Sequence, residues 1–414
     1  MIFLICLSAF IVSDDLFSVF HLGGFTVRLF QLALLPVLAK GIWGWLARSV
    51  WPVGFGSLLL WTLFIVSFVP NGSLLSRSFF YGLWLVFCVL MVLGIVAAID
   101  THEKLMTVLR WYVYSYAFSA VFGLSQLLLP LAGVQPLLVR QWWFPERLAR
   151  INGFTYEPSY YATYMITGWV MMDYLRWKKS GIPGLRVCYW LVTVALLLCS
   201  SRMGWTLMLA WLGIRVFWHI RENTVPWRKI ATVSAVLLIA GAGLARSTDL
   251  STLTFLASGL GVSDDTSADS TLGRWQIAMQ TLHIYTSTPI IGVSLGGVAP
   301  AIGRQNSATI VDNEDAKDNE GLCTTLEVLA ASGTFGFLFY LAYVAGLFRA
   351  MAQLPQEEVL GKALGWGLVF LILILQLNQN ILRSYLWFHI GLLSAAYRLV
   401  PHAAYAVQPV VQHA

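Results

Sequence analysis

The segment R-I-N-G-F-T-Y-E-P-S-Y-Y-A, residues 150–162, puts an arginine, a carboxylate and three tyrosines within one short stretch. Glu157 directly precedes Pro158, and proline is favoured in the first turn of a helix. Glu157 therefore stands where a helix begins, beside its positive end. It could cap that helix or pair with Arg150. It could equally serve as a general base or bind an acceptor sugar, with Tyr156, Tyr160 and Tyr161 as faces for a sugar ring.

Other segments carry similar chemistry. In S-S-R-M-G-W, residues 200–205, Arg202 occupies a very short turn between two apolar runs. It either snorkels to lipid headgroups or binds a phosphate group at the membrane surface. G-R-W at 273–275 puts Arg274 and, further on, His283 on one amphipathic stretch, and P-I-I-G-V-S-L-G-G follows at 289–297. Those glycines fit neither a Walker nor a Rossmann fingerprint. Asp318, Asn319 and Glu320 open the run D-N-E-G-L-C-T-T-L-E-V-L-A-A-S-G-T-F-G, residues 318–336, and Glu327 lies further in. An ionisable group inside an apolar span is a functional candidate by default, and Gly333 and Gly336 would allow close helix packing. Arg383 and Tyr385 begin the last apolar run. No two of the seven histidines stand at ligand spacing, and the five cysteines form neither a disulfide framework nor a zinc motif.

The elements that position these residues follow from composition. Of 414 residues, 58% are hydrophobic and 11% charged, against about 25% charged in a soluble domain. Mean hydropathy is +0.72. Soluble, disordered and disulfide-stapled classes are excluded, which leaves an all-α, polytopic integral membrane protein. Eighteen tryptophans suit a chain with many membrane–water interfaces. Apolar runs at 2–20, 25–46, 53–70, 78–99, 106–132, 159–176, 184–200, 204–220, 230–246, 321–348, 359–380 and 385–400 predict about twelve transmembrane helices in a single domain, 1–414. The first run lacks a basic leader and reads as a short span, not a cleaved signal.

Basic residues orient the chain. With a cytoplasmic N-terminus, 15 basic residues fall inside and 11 outside, and the clusters R-W-K-K-S-G-I-P-G-L-R and R-E-N-T-V-P-W-R-K are both inside. Six of the seven lysines are then inside, while ten of the eleven outer basic residues are arginine. Topology needs charge alone, so an arginine-rich outer face points to bidentate recognition of phosphate or carboxylate; the bland alternative is rim salt bridges. The net charge of +6 reflects retained cytoplasmic loops and not nucleic-acid binding. Two outer connections are long, 133–158 and 247–320. Loops of such length are usually functional or disordered. Trp275, Ile277, Ala278, Leu282 and Ile284 recur at helical spacing within the second, which predicts a helix on the membrane face.

Taken in order, these motifs resemble the O-antigen polymerase and O-antigen ligase superfamily of bacterial envelope glycosyltransferases. The layout is similar too, with about twelve spans and one long periplasmic loop, 247–320, before the last three. Ligases typically carry a His-Asn pair shortly before the first glycine of G-x-x-G. Leu322 and Cys323 stand there instead, and Glu-Pro-Ser at 157–159 looks more like a Wzy-type repeat-unit polymerase.

The resemblance implies a multi-pass protein of the bacterial inner membrane whose active site faces the periplasm. The glycan of an undecaprenyl-pyrophosphate-linked donor would pass to a hydroxyl of another lipid-linked repeat unit. Arg150, Arg202 and Arg274 are expected at the pyrophosphate, with Arg304 and Arg383 as further candidates. Glu157 is the first choice for general base and Glu320 the second; Tyr156, Tyr160 and Asn319 are candidate sugar contacts. No cofactor or metal is expected. Partners implied are the lipid-linked glycan, the bilayer and a chain-length regulator protein. Rival readings are a ligase transferring to lipid A-core and a transporter or flippase for lipid-linked oligosaccharides. Nearly charge-free spans and the absence of an internal repeat count against the transporter.

Overall fold

Backbone groups in lipid find no outside partners, so apolar stretches close into helices. The computed structural model describes residues 1–13, 18–22, 25–144, 148–222, 267–306, 310, 312, 315–316, 319–378 and 381–400. The described helices are α1 (Ile2–Ile11), α2 (Leu29–Leu46), α3 (Phe55–Ser67), α4 (Leu75–Ala98), α5 (His102–Leu131), α6 (Pro158–Trp177), α7 (Leu185–Leu198), α8 (Arg202–Arg221), α9 (Ser267–Ser287), α10 (Val298–Gln305), α11 (Thr324–Gln353), α12 (Val359–Asn378) and α13 (Ser384–Leu399). Side chains set several of the starts. Thr101 accepts from Lys104 N at α5 and Ser201 from Gly204 N at α8, as N-caps do. Pro158 occupies the first turn of α6.

The expected count of about twelve spans is not established. Among the described residues five helices, α2, α4, α5, α11 and α12, are long and apolar enough to cross a membrane. Helices α6 and α13 carry more polar side chains, and they can do so because residues 161–175 and 384–396 are buried inside the bundle. Apolar side chains such as Leu35, Trp43, Leu63, Trp190, Leu209 and Phe217 are exposed on the outer helices, the surface of a membrane protein. The first expected span, 2–20, is corrected: α1 ends at Ile11, and Ser18–Leu22 (β1) pairs antiparallel with Phe25–Arg28 (β2). A second antiparallel ribbon joins Trp142–Phe144 (β3) to Leu148–Ala149 (β4). The expected span 230–246 and loop residues 247–266 lie outside the described residues.

Contacts between distant segments define two ends of the bundle. At one end Arg77 of α4 meets Glu320, just before α11. Thr324, opening α11, donates through Oγ1 to Leu375 O of α12 at 2.9 Å, and Arg383, just before α13, covers Tyr160 of α6. At the other end Arg398 of α13 donates to Val96 O of α4 and to Ser49 O. There too Asp173 of α6, 3% exposed, binds Arg215 of α8 at 2.9 Å, Arg176 at 2.8 Å and Trp211 Nε1 at 2.9 Å. Helices α4, α6, α8, α11 and α13 therefore all begin at the Arg77 end, where their positive dipole ends collect.

The expected helix around Trp275 is present as α9, and the segment after it braces the site. Gly333 interrupts α11 with φ +59° and ψ −169°, a region essentially reserved for glycine. The freed groups pair with residues 289–294: Thr334 N donates to Pro289 O at 2.8 Å, Val293 N to Ala330 O at 3.1 Å and Ser294 N to Ala331 O at 2.9 Å. Gly296 then presses on the start of α4, where an added Cβ would stand 2.6 Å from Ser78 N. One loop segment thus fixes both the break in α11 and the backbone beside Arg77.

Candidate functional site

Arg77 is 3% exposed. Its Nη2 donates to the Tyr81 hydroxyl at 2.7 Å and to Glu320 Oε1 at 2.8 Å, and Tyr81 donates to the same oxygen at 2.8 Å. The Arg77 guanidinium also lies 4.6 Å from the Tyr81 ring centroid, a spacing set by one helical turn. Glu327, in the first turn of α11, is 4% exposed. Among the described residues its Oε2 is buried with no hydrogen-bond partner, and Glu320, Arg77 and Arg383 lie within electrostatic reach of it.

Arg383 carries the site across to α6. Its guanidinium carbon stands 4.5 Å from the Tyr160 ring centroid, within cation–π range. One turn earlier, Glu157 stands at the N-cap position of α6 without a side-chain capping bond and accepts the Ser159 hydroxyl on Oε2 at 2.9 Å. Arg150 donates from Nη1 to Gln141 Oε1 at 2.9 Å. Burial pulls the Arg150 guanidinium below its ordinary pKa, and the like charge of Arg202 adds to the fall; Cys199 and Glu157 act against it. Arg150, in the loop before α6, is therefore within electrostatic reach of Glu157 at the start of α6 and of Arg202 at the start of α8.

Two buried amides hold the loop that carries Arg150 and Glu157. Gln126 donates from Nε2 to Leu137 O and Gly153 O, and its Oε1 accepts from Asn152 N and Gly153 N. Asn152 donates from Nδ2 to Leu138 O, Gly153 O and Thr155 O. A buried loop needs this full satisfaction of its backbone.

The expected residues do not all converge. Tyr156 is exposed, with Arg140 5.7 Å from its ring centroid. Arg304 is exposed and donates from Nε to Pro300 O of its own helix at 3.3 Å. Asn319 accepts from Asn306 Nδ2 at 3.4 Å and donates to Asp315 O at 3.3 Å. Arg274 lies on α9, and its side chain is outside the described residues. Sequence reasoning selected Glu157, Glu320, Arg150, Arg202 and Arg383 for this end of the bundle. It passed over Arg77, Gln126 and Asn152, and noticed Glu327 without choosing it. Arg77 was visible only as one of the outer arginines.

Residues 187–341 match a family model described as O-antigen ligase, consistent with the O-antigen polymerase and ligase superfamily. The match takes in Arg202, Arg274, Arg304, Asn319, Glu320, Glu327 and the glycine break, and leaves Arg150, Glu157 and Arg383 outside it. No curated protein matches the chain.

Proposed function

We propose that the chain is a repeat-unit polymerase of bacterial envelope polysaccharide. The donor is a glycan on undecaprenyl pyrophosphate, and the site lies at the Arg77 end of the bundle, on the periplasmic face of the inner membrane. The observation that carries this reading is that Arg150, in the loop that leads into α6, and Arg202, at the start of α8, lie within electrostatic reach of one another. Bringing two guanidiniums together costs free energy unless an anion joins them. Helix N-termini favour the same anion, and a pyrophosphate offers oxygens for two bidentate forks.

In the reaction the acceptor hydroxyl oxygen bonds to the anomeric carbon, and the bond from that carbon to the pyrophosphate oxygen breaks. The electron pair leaves with the undecaprenyl pyrophosphate, whose developing charge Arg150 and Arg202 stabilise, with Arg383 as a further contact. A carboxylate takes the hydroxyl proton; the candidates at this end of the bundle are Glu157, Glu320 and Glu327. Tyr160, under Arg383, is suited to stack on a sugar. The reaction as written needs no metal or cofactor, and a chain-length regulator is a fitting partner for such an enzyme.

Leu322 and Cys323, where the ligase branch carries its His-Asn pair, favour a lipid-linked repeat unit over lipid A-core as acceptor. The test is incubation of purified chain with lipid-pyrophosphate-linked repeat units, with and without lipid A-core. A ladder of longer lipid-linked glycans supports the polymerase. Transfer to lipid A-core alone would make the chain a ligase, and movement of donor across vesicles without any transfer would make it a transporter.

A further inference from the structure

The polymerase reading requires a group that takes the proton of the attacking hydroxyl, and three carboxylates compete for that task. Glu157 already accepts the Ser159 hydroxyl on Oε2. Glu320 Oε1 is occupied by two donors, the Arg77 guanidinium and the Tyr81 hydroxyl, which lowers its capacity to receive a third. Glu327 differs: its Oε2 is buried and has no hydrogen-bond partner among the described residues. Burying a carboxylate oxygen without a donor is costly, and inside an apolar helix such a group marks a functional position.

Its surroundings suit proton transfer. Arg77 from α4 and Arg383 ahead of α13 place two positive charges near it, while Glu320 adds a negative one, and Tyr81 faces it from α4. The positive end of α11 lies beneath the same carboxylate, since Glu327 is in that helix's first turn. Gly321 packs alongside; a Cβ there would lie 3.6 Å from Glu327 Cγ, in ordinary contact. Glu320 is partly exposed, its side chain 30% accessible, and Gly321 follows it directly.

We infer that Glu327 is the proton acceptor for the attacking hydroxyl, with Glu320 serving to hold Arg77 in place. The acceptor O–H bond breaks as its oxygen bonds to the anomeric carbon. The proton passes to Glu327 Oε2, and the bond electrons to the pyrophosphate leave with the lipid. The protonated Glu327 then returns its proton to water before the next cycle.

The inference rests on the polymerase reading, and one experiment separates the two. Full-length protein in detergent is given lipid-pyrophosphate-linked repeat units, and initial rates are measured from about pH 3 to pH 9, a range that includes the ordinary glutamate value of about 4.3 and several units above it. Donor binding and thermal melting are followed in parallel. Glu327→Gln should lose about 10²- to 10⁴-fold in rate, keep donor binding and lack the acid limb of the wild-type profile. Glu327→Asp should retain that limb at a reduced rate, and Glu320→Gln should retain it as well. A near wild-type rate in Glu327→Gln, or an acid limb that persists in it, overturns the assignment. Should Glu327→Gln fail to fold, Glu327→Asp decides, and a wild-type rate and profile in that variant overturns it. A wild-type protein that makes no longer glycan overturns the reaction and this role together; an active wild type with an active Glu327→Gln overturns this role alone.

Discussion

Arg383 lies over the face of Tyr160, 4.5 Å from the ring centroid, and this contact joins the start of the last helix to the start of α6. The two residues are far apart in sequence, yet together they connect Glu327 and Arg77 on one side to Glu157 and Arg150 on the other.

Tyr160→Phe keeps the ring face and should leave polymer yield close to wild type. Tyr160→Leu removes the face, and with it about 0.5–2 kcal/mol of attraction to Arg383. Polymer in cells, compared at equal protein level, should fall only in the leucine variant. Equal yields from both would limit Tyr160 to packing.

Arg202→Lys and Arg150→Lys preserve charge and lose the bidentate fork. Each should lower transfer by about ten- to a hundredfold, as expected for one charge-assisted hydrogen bond. Rates measured on purified lipid-linked donor check this. Full activity in both variants would return these arginines to topology or snorkelling.

The Arg77 end of the bundle should face away from the cytoplasm. In a background with the native cysteines replaced, a Cys at the exposed Asn306 should react with an impermeant maleimide in intact cells, and a Cys at Ser180 should not. The reverse pattern would move the entire site to the wrong compartment for a periplasmic reaction.

At the opposite end, Asp173→Ala should destabilise the protein by about 3–5 kcal/mol, because it leaves two guanidiniums near a buried gap. Asp173 binds both Arg176 and Arg215. Thermal melting in detergent, followed by tryptophan fluorescence, reads the loss. Since this cluster is remote from Glu320 and Arg383, the surviving folded fraction should keep wild-type specific activity.

Local signals were the readable ones. Glu157 before Pro158 marked the start of α6, Arg202 after the Ser201 cap marked the start of α8, and apolar spacing around Trp275 gave α9. The first span misled because Val19 and Phe20, like Phe25 and Val27 at the start of the second, are apolar residues that suit a ribbon as well as a helix. The pairing of Arg77 with Glu320 spans 243 positions, and no local spacing encodes it. The same holds for Gln126, whose amide fixes a loop more than twenty residues away. Glu327 read as an isolated charge until packing set Arg77 and Arg383 around it.

Segment 289–294 supplies the partners that Ala330, Ala331 and Thr334 lose at the Gly333 break, so neither piece is inheritable without the other. A recombination breakpoint between 297 and 324 would part a loop from the helix whose backbone it completes, stranding donors and acceptors at membrane depth. Breakpoints before 289 or after 336 leave the unit whole. Natural or engineered hybrids that exchange the long loop for one of different sugar preference must therefore bring the first turns of α11 with it, and the proposed proton acceptor Glu327 travels in the same cassette.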